Sequence, residues 1–187
     1  MLRHSRVPIL LILVVALLPG LCRAERHTYE HDGEALFSIH FPDDWYVDAD
    51  FVSDAKAAGT LKGGKPGLRI LEAMPSDGSK LWFGIWVAPD SVRDFDKALE
   101  YIASLDGDLF TNVESSQPQD TSFGGMPAKT MYGIARRLGE EVEFAAALFQ
   151  PRDAVITVAL YVGRPQTWGK HQAQLEKVVD SIQPESP

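Results

Sequence analysis

Cysteine is nearly missing from this chain. Its one copy among 187 residues is Cys22, and Cys22 falls in an N-terminal stretch that reads as a removable leader. The domain beyond that leader can form no disulfide, run no thiol chemistry and build no thiolate metal site. Such a domain must be held by its core alone, unlike small disulfide-rich secreted scaffolds. Internal repeats and low-complexity segments are also missing. No apolar run reaches the roughly 20 residues that a bilayer span needs.

The leader is the first feature that is present. Arg3, His4 and Arg6 make a positive start, Ile9 to Leu18 is unbroken and apolar, and Pro19-Gly20 ends it. Cys22-Arg23-Ala24 then offers a cleavage site. Lipidation at Cys22 competes with simple cleavage, but Leu21 and Pro19 depart from the small residue and leucine that a lipidated cysteine usually follows. The expected product is a soluble periplasmic or secreted protein from Glu25 to Pro187, 163 residues, with no stable membrane span after cleavage. That length suits a single domain, expected from about His27 to Gln183, and is enough for a full core.

Cleavage changes the charge. Losing Arg3, Arg6 and Arg23 from 18 basic residues leaves 15 against 26 acidic ones, a net of −11. Such a field repels nucleic acid and anionic headgroups, so nucleic acid is excluded as a partner.

The pattern along the chain is mixed. His27 to His31 suggests a strand and Asp32-Gly33 a turn. Phe37, Ile39 and Phe41 alternate as in a half-buried strand, Pro42-Asp43-Asp44 turns, and Trp45 opens the next element. Asp48 to Gly59 reads as a loop with a helical turn, and Lys62 to Gly67 as a loop. Leu68–Ala73 and Lys80–Val87 form a hairpin about Pro75-Ser76-Asp77-Gly78. Asp90 or Ser91 caps a helix, with Asp94 completing a capping box. Val92, Phe95, Leu99 and Ile102 make its apolar face, and Gly107 its stop.

Three strands come after a polar stretch: Ala128–Arg136, Val142–Gln150 and Ala154–Val162. Their short connections predict an antiparallel meander. A helix from Pro165 to Ile182 ends the domain, with Trp168, Leu175, Val178, Val179 and Ile182 on one face. In Ala154–Val162, Ile156, Val158 and Leu160 oppose Val155, Ala159 and Tyr161. In Leu81–Val87, Trp82 and Trp86 oppose Phe83, Ile85 and Val87. Both faces are apolar, so both need cover. The fold class expected is α+β, a central antiparallel sheet covered by helices on both faces.

Catalytic signals are scarce. No G-x-S-x-G elbow exists, and Ser76 and Ser79 flank a turn with no histidine nearby in sequence. His27 and His31 on a strand stand about 13 Å apart, too far for one ion. Asp43, Asp44, Asp48 and Asp50 lack calcium-loop spacing. Lys62 to Gly67 lacks the Gly-Lys-Ser/Thr of a phosphate loop, and Pro66 blocks the helix start. No catalytic residue, cofactor or metal is expected. A hydrolase remains as the rival reading, its site assembled only in space about His40 or His171.

Aromatic residues carry the binding candidates. Gly84 leaves a notch between Trp82 and Trp86, and Trp45 comes just after a turn. These four residues suggest a groove for an apolar ligand or for a partner's hydrophobic anchor. The plainer account is a covered strand with the notch filled by a side chain. Arg136 and Arg137 could meet acidic groups of a partner, or simply form a solvated edge.

Some stretches resemble a known family. Phe37-Ser-Ile-His-Phe-Pro-Asp-Asp-Trp45 resembles the opening strand, turn and tryptophan of PsbP-like proteins. Phe123-Gly-Gly-Met-Pro-Ala128 is similar to their entry into the central strands. Ala154 to Val162 and the helix ending Val178-Val-Asp-Ser-Ile182 resemble their closing strand and helix. The resemblance spans about Ala35 to Gln183. It implies an α/β/α sandwich in a family of photosystem subunits, a Ran-binding protein and bacterial envelope proteins such as the DcrB group. These are mostly binding or assembly factors, so it implies a non-enzymatic accessory role. The leader favours the envelope branch, with another envelope protein or a small apolar ligand as partner.

Overall fold

The computed structural model of the chain describes residues 25–52, 69–104 and 110–185. The expected leader, the Lys62–Gly67 loop and the Gly107 stop lie outside the described residues. Asp32 and Gly33 both take positive φ, 53° and 77°. That is the geometry of a tight two-residue hairpin turn. It joins β1 (Glu25–His31) to β2 (Glu34–Phe41). A short β11 (Gln183–Pro184) pairs with the other edge of β2, completing a three-stranded sheet.

The larger, eight-stranded sheet runs β3 (Trp45–Val52), β4 (Arg69–Pro75), β5 (Leu81–Val87), β10 (Val155–Gly163), β9 (Glu140–Arg152), β8 (Met126–Arg137) and β6 (Thr111–Ser115). A further strand, β7 (Gln119–Phe123), pairs with β8. The expected hairpin and meander are present as β4–β5 and β8–β9–β10, all antiparallel. Two expectations need correction. Asp48 to Val52, expected as loop, continues β3. The polar stretch before β8 contains β6 and β7, whose residues are exposed except Phe123. Strands with little to bury carry no apolar alternation, so their sequence looks like loop.

Helix α1 (Phe95–Ser104) starts later than expected. Asp94, not Asp90 or Ser91, caps it: its carboxylate accepts the Lys97 backbone N–H at 2.8 Å. That places the capping side chain three residues before its donor, as N-caps require. Helix α2 (Pro165–Asp180) matches its expected start, with proline in the first turn where its missing N–H costs nothing.

The large sheet is apolar on both faces, as the alternation in β5 and β10 predicts. On the first face, Phe83, Ile85, Ala159 and Tyr161 join Phe37, Ile39 and Phe41 of β2 and Leu175, Val178 and Ile182 from the α2 end. Phe37 stands edge-on to Phe149, ring centres 5.1 Å apart, and Phe41 edge-on to Phe83 at 5.7 Å. On the second face, Trp86, Ile156, Val158 and Leu160 meet Ala98 of α1, with Phe95, Leu99 and Ile102 at the margin. Each face has a helix against it, but helices alone do not supply the cover. The small sheet shares the first face with α2, and α1 packs against the second.

Gly124 shows how tightly the ends are brought together. It has φ +54°, and an added Cβ would fall 2.7 Å from the Ile182 carbonyl oxygen and 2.9 Å from Pro184 Cδ. Its neighbour Gly125 has φ +84° but open space around it. Gly125→Ala is expected to cost about 1 kcal/mol from backbone strain alone. Gly124→Ala should cost more, because backbone must also move. Urea denaturation of both variants checks the order, and equal midpoints would refute the close approach.

Candidate functional site

The four candidate binding residues do not share a site. Trp45 is buried on the first face, stacked on Phe41 at 6.1 Å and edge-on to the His171 ring at 6.4 Å. Trp82, Gly84 and Trp86 belong to the second face, as the alternation requires. The notch at Gly84 is filled. A Cβ there would lie 2.3 Å from Cη2 of Trp82, so the Trp82 ring itself lies across the glycine. Its indole N–H donates to Glu72 Oε1 at 3.1 Å, which anchors the ring in that position. Burial raises the Glu72 pKa, the Trp82 hydrogen bond opposes that rise, and nearby Asp48 adds to it. Arg137 is half-buried and near enough to Glu72 to favour its charged form, while burial lowers the pKa of Arg137 itself. Arg136 stays exposed.

Trp86 faces open space. A cavity of about 360 Å³ lies between α1 and the second face. Trp86, Val158 and Leu160 belong to its sheet side, Leu99 and Ile102 to its helix side, and Phe144 is a further wall. Among the described residues, no Asp, Glu, Lys, Arg or His lines it. The volume falls in the usual range for ligand pockets. The Trp86 N–H lies near enough to the Tyr101 phenol to favour its ionised form, against burial that raises its pKa more strongly. It falls short of a well-formed hydrogen bond, so Trp86 Nε1 is a buried donor without a partner. Sequence reasoning found Trp86 but not the cavity, because the space depends on where α1 sits.

The structure does bring a histidine, an acid and a hydroxyl together. His171 on α2 is buried, with Nε2 at 3.1 Å from Ser79 Oγ and 3.2 Å from Asp77 Oδ2. Its Nδ1 lies 2.8 Å from Gln174 Oε1. Asp77 also pairs with Lys170 and accepts the Ser79 backbone N–H at 2.9 Å. A catalytic relay places the carboxylate on one ring nitrogen and the hydroxyl on the other. Here both crowd Nε2, and none of the three residues lines the cavity beneath α1. The cluster fastens α2 to the turn between β4 and β5. His40 lies apart: its backbone N–H donates to Ser181 Oγ at 2.8 Å, and the residue is exposed. Among the described residues, no group of three or more His, Cys, Asp or Glu is placed to hold a metal ion. No helix among them is long and apolar enough to cross a membrane.

The fastening carries a pH signature. The hydrogen bond from Lys170, then those from Ser79, hold the Asp77 carboxyl well below the usual carboxylate range. A depressed carboxylate stabilises the fold above its unfolded pKa, and that contribution fades as pH falls toward the folded value. Asp77→Asn should therefore lower the melting temperature at neutral pH and flatten its decline below about pH 4. Melting curves across pH check this. Parallel acid limbs for variant and wild type would refute it.

No family model matches the chain, and no curated protein matches it. Solved structures do. Cyanobacterial PsbP (CyanoP) from Synechocystis superposes with a TM-score of 0.55 at 14% identity, over 89% of this chain and 95% of that one. LpqN, involved in cell envelope biogenesis of Mycobacterium tuberculosis, gives 0.54 at 10% identity, over 88% and 92%. PA94 of Pseudomonas aeruginosa, a protein of unknown function, gives 0.50 at 10% identity, over 88% and 100%. Identities this low carry the fold and nothing finer. With the antiparallel sheet and the two-sided core, they make the fold of this chain PsbP-like.

Proposed function

We propose that this protein is an exported, non-enzymatic accessory factor that holds an apolar ligand between α1 and the second face of its sheet. The observation that carries the reading is the lining of that cavity. Among the described residues, its walls offer apolar area and no titratable side chain. General acid–base chemistry needs a positioned proton donor or acceptor, and these walls supply none. Burying an apolar chain there is worth roughly 25 cal/mol per Å² of surface removed from water. Export rests on the leader, and an envelope role draws support from likeness to LpqN, itself involved in envelope biogenesis. Another envelope protein presenting an apolar anchor would fit the same space.

A hydrolase reading draws on the His171 cluster alone. Both of its candidate partners crowd one ring nitrogen, which leaves the other without a carboxylate. Binding is therefore the better-supported function.

Titration with an environment-sensitive fatty-acid probe should show saturable binding. Ala103 lines the cavity from an exposed position on α1, so Ala103→Phe should narrow it with little effect on folding. The expected result is an affinity loss of about tenfold, or 1.4 kcal/mol, at an unchanged melting temperature. No binding across fatty acids, prenols and sterols would overturn the reading.

A further inference from the structure

A second cavity, of about 310 Å³, lies on the first face beneath α2, where Ala145, Ala147 and Ala159 are too small to fill the space. Three aromatic rings form a corner at it. Trp168 of α2 stands nearly perpendicular to Tyr161, at 4.8 Å and 70°, and to Tyr132, at 6.1 Å and 87°. Tyr132 is half exposed and Tyr161 buried. The Tyr161 hydroxyl lies beside Thr167 without completing a well-formed hydrogen bond. Tyr132 and Trp168 also border a shallower groove, so the two spaces meet at these rings.

Charge around the corner has one sign. Glu176 and Asp180 line the cavity, and Glu114 and Glu143 line the groove. Among the described residues, no lysine or arginine lines either. Several carboxylates elsewhere pair with cations: Glu140 binds Arg164, Glu34 binds Arg152, Asp77 binds Lys170 and Asp120 binds Lys129. Among the described residues, the four carboxylates around the corner belong to no ion pair. Glu176 has only the Gln172 amide, at 2.9 Å. The nearby Arg164 is engaged by Glu140 through two of its nitrogens, at 3.0 and 2.7 Å.

We propose that the Tyr132–Tyr161–Trp168 corner binds a quaternary ammonium group, with the surrounding carboxylates as its counter-charge. Ring faces attract a cation through their quadrupoles, and tryptophan does so best. A quaternary ammonium has no N–H to satisfy, so alanine and aromatic walls suit it better than they suit a lysine ammonium. The field of the four carboxylates raises its local concentration at the mouth. The same chemistry reaches the corner from a free small molecule or from a choline lipid headgroup. None of the three rings lines the cavity beneath α1, so binding at the corner and binding in that cavity can fail independently.

The test uses the protein from Glu25 onward, with tryptophan fluorescence and calorimetry as readouts. Choline and zwitterionic phosphatidylcholine vesicles are the two quaternary-ammonium probes, and 3,3-dimethylbutan-1-ol is the neutral isostere of choline. Choline binding supports a free ligand, and binding of vesicles alone supports a headgroup. In either case the isostere should bind at least about tenfold more weakly. Read by calorimetry alone, because Trp168 is itself a fluorophore, Trp168→Leu should abolish binding and Trp168→Phe should keep part of it. Glu143→Gln should weaken binding at an unchanged melting temperature, and added salt should weaken it in the wild type. Isostere binding equal to that of choline overturns the proposal. So does failure of both quaternary-ammonium probes at millimolar concentration, or loss on Glu143→Gln only where the variant is unfolded.

Discussion

The central strands β5, β9 and β10 carry apolar side chains on both faces, and water cannot be left against either. Everything else in the structure answers to that constraint. The first face is closed by the small sheet and α2, and the second receives α1. Aromatic rings do much of the closing on the first face, where Phe37 and Phe41 meet Phe149 and Phe83 edge-on. Edge-on contact matches the positive rim of one ring to the negative face of another. It adds geometric preference to plain burial, and so fixes how the small sheet sits on the large one.

The same need for cover produces the cavities. A helix is a cylinder laid on a twisted sheet, and it touches only along part of its length. Where the facing strand residues are small, as at Ala145, Ala147 and Ala159, the space stays open. Where the side chains are large but the helix is short, as at Trp86 beneath α1, an apolar gap remains instead. The two spaces have opposite chemical characters. Among the described residues, one is lined by apolar side chains and the Ser115 hydroxyl with no titratable group; the other is ringed by phenols and carboxylates.

How much the sequence disclosed depended on burial. Alternation in Phe37, Ile39 and Phe41, and on both faces of β5 and β10, was legible because buried side chains leave a periodic trace. The meander β8–β9–β10 followed from its short connections. β6 and β7 were not legible, because exposed edge strands have no apolar period. The start of α1 was misplaced because Ser91 and Asp94 both qualify as caps, and only the Asp94 hydrogen bond decides between them. Trp86 was legible as a candidate, but its cavity was not. Neither was the corner of Tyr132, Tyr161 and Trp168, nor the meeting of His171 with Asp77 and Ser79. Their members lie far apart in sequence and meet only through the packing of α2.

Residues 181–185 close the small sheet. β11 pairs with β2, Ser181 bonds His40 across 141 positions, and Glu185 pairs with Arg26 across 159. Contacts of such long sequence separation form slowly, because a long loop must be ordered before they reward it. The small sheet is therefore complete only once the segment that carries β11 has joined β2. Until then that edge of β2 is open, available for pairing with a neighbouring chain or for capture by a chaperone. The first hairpin thus waits on a strand that lies beyond every element of the large sheet in chain order.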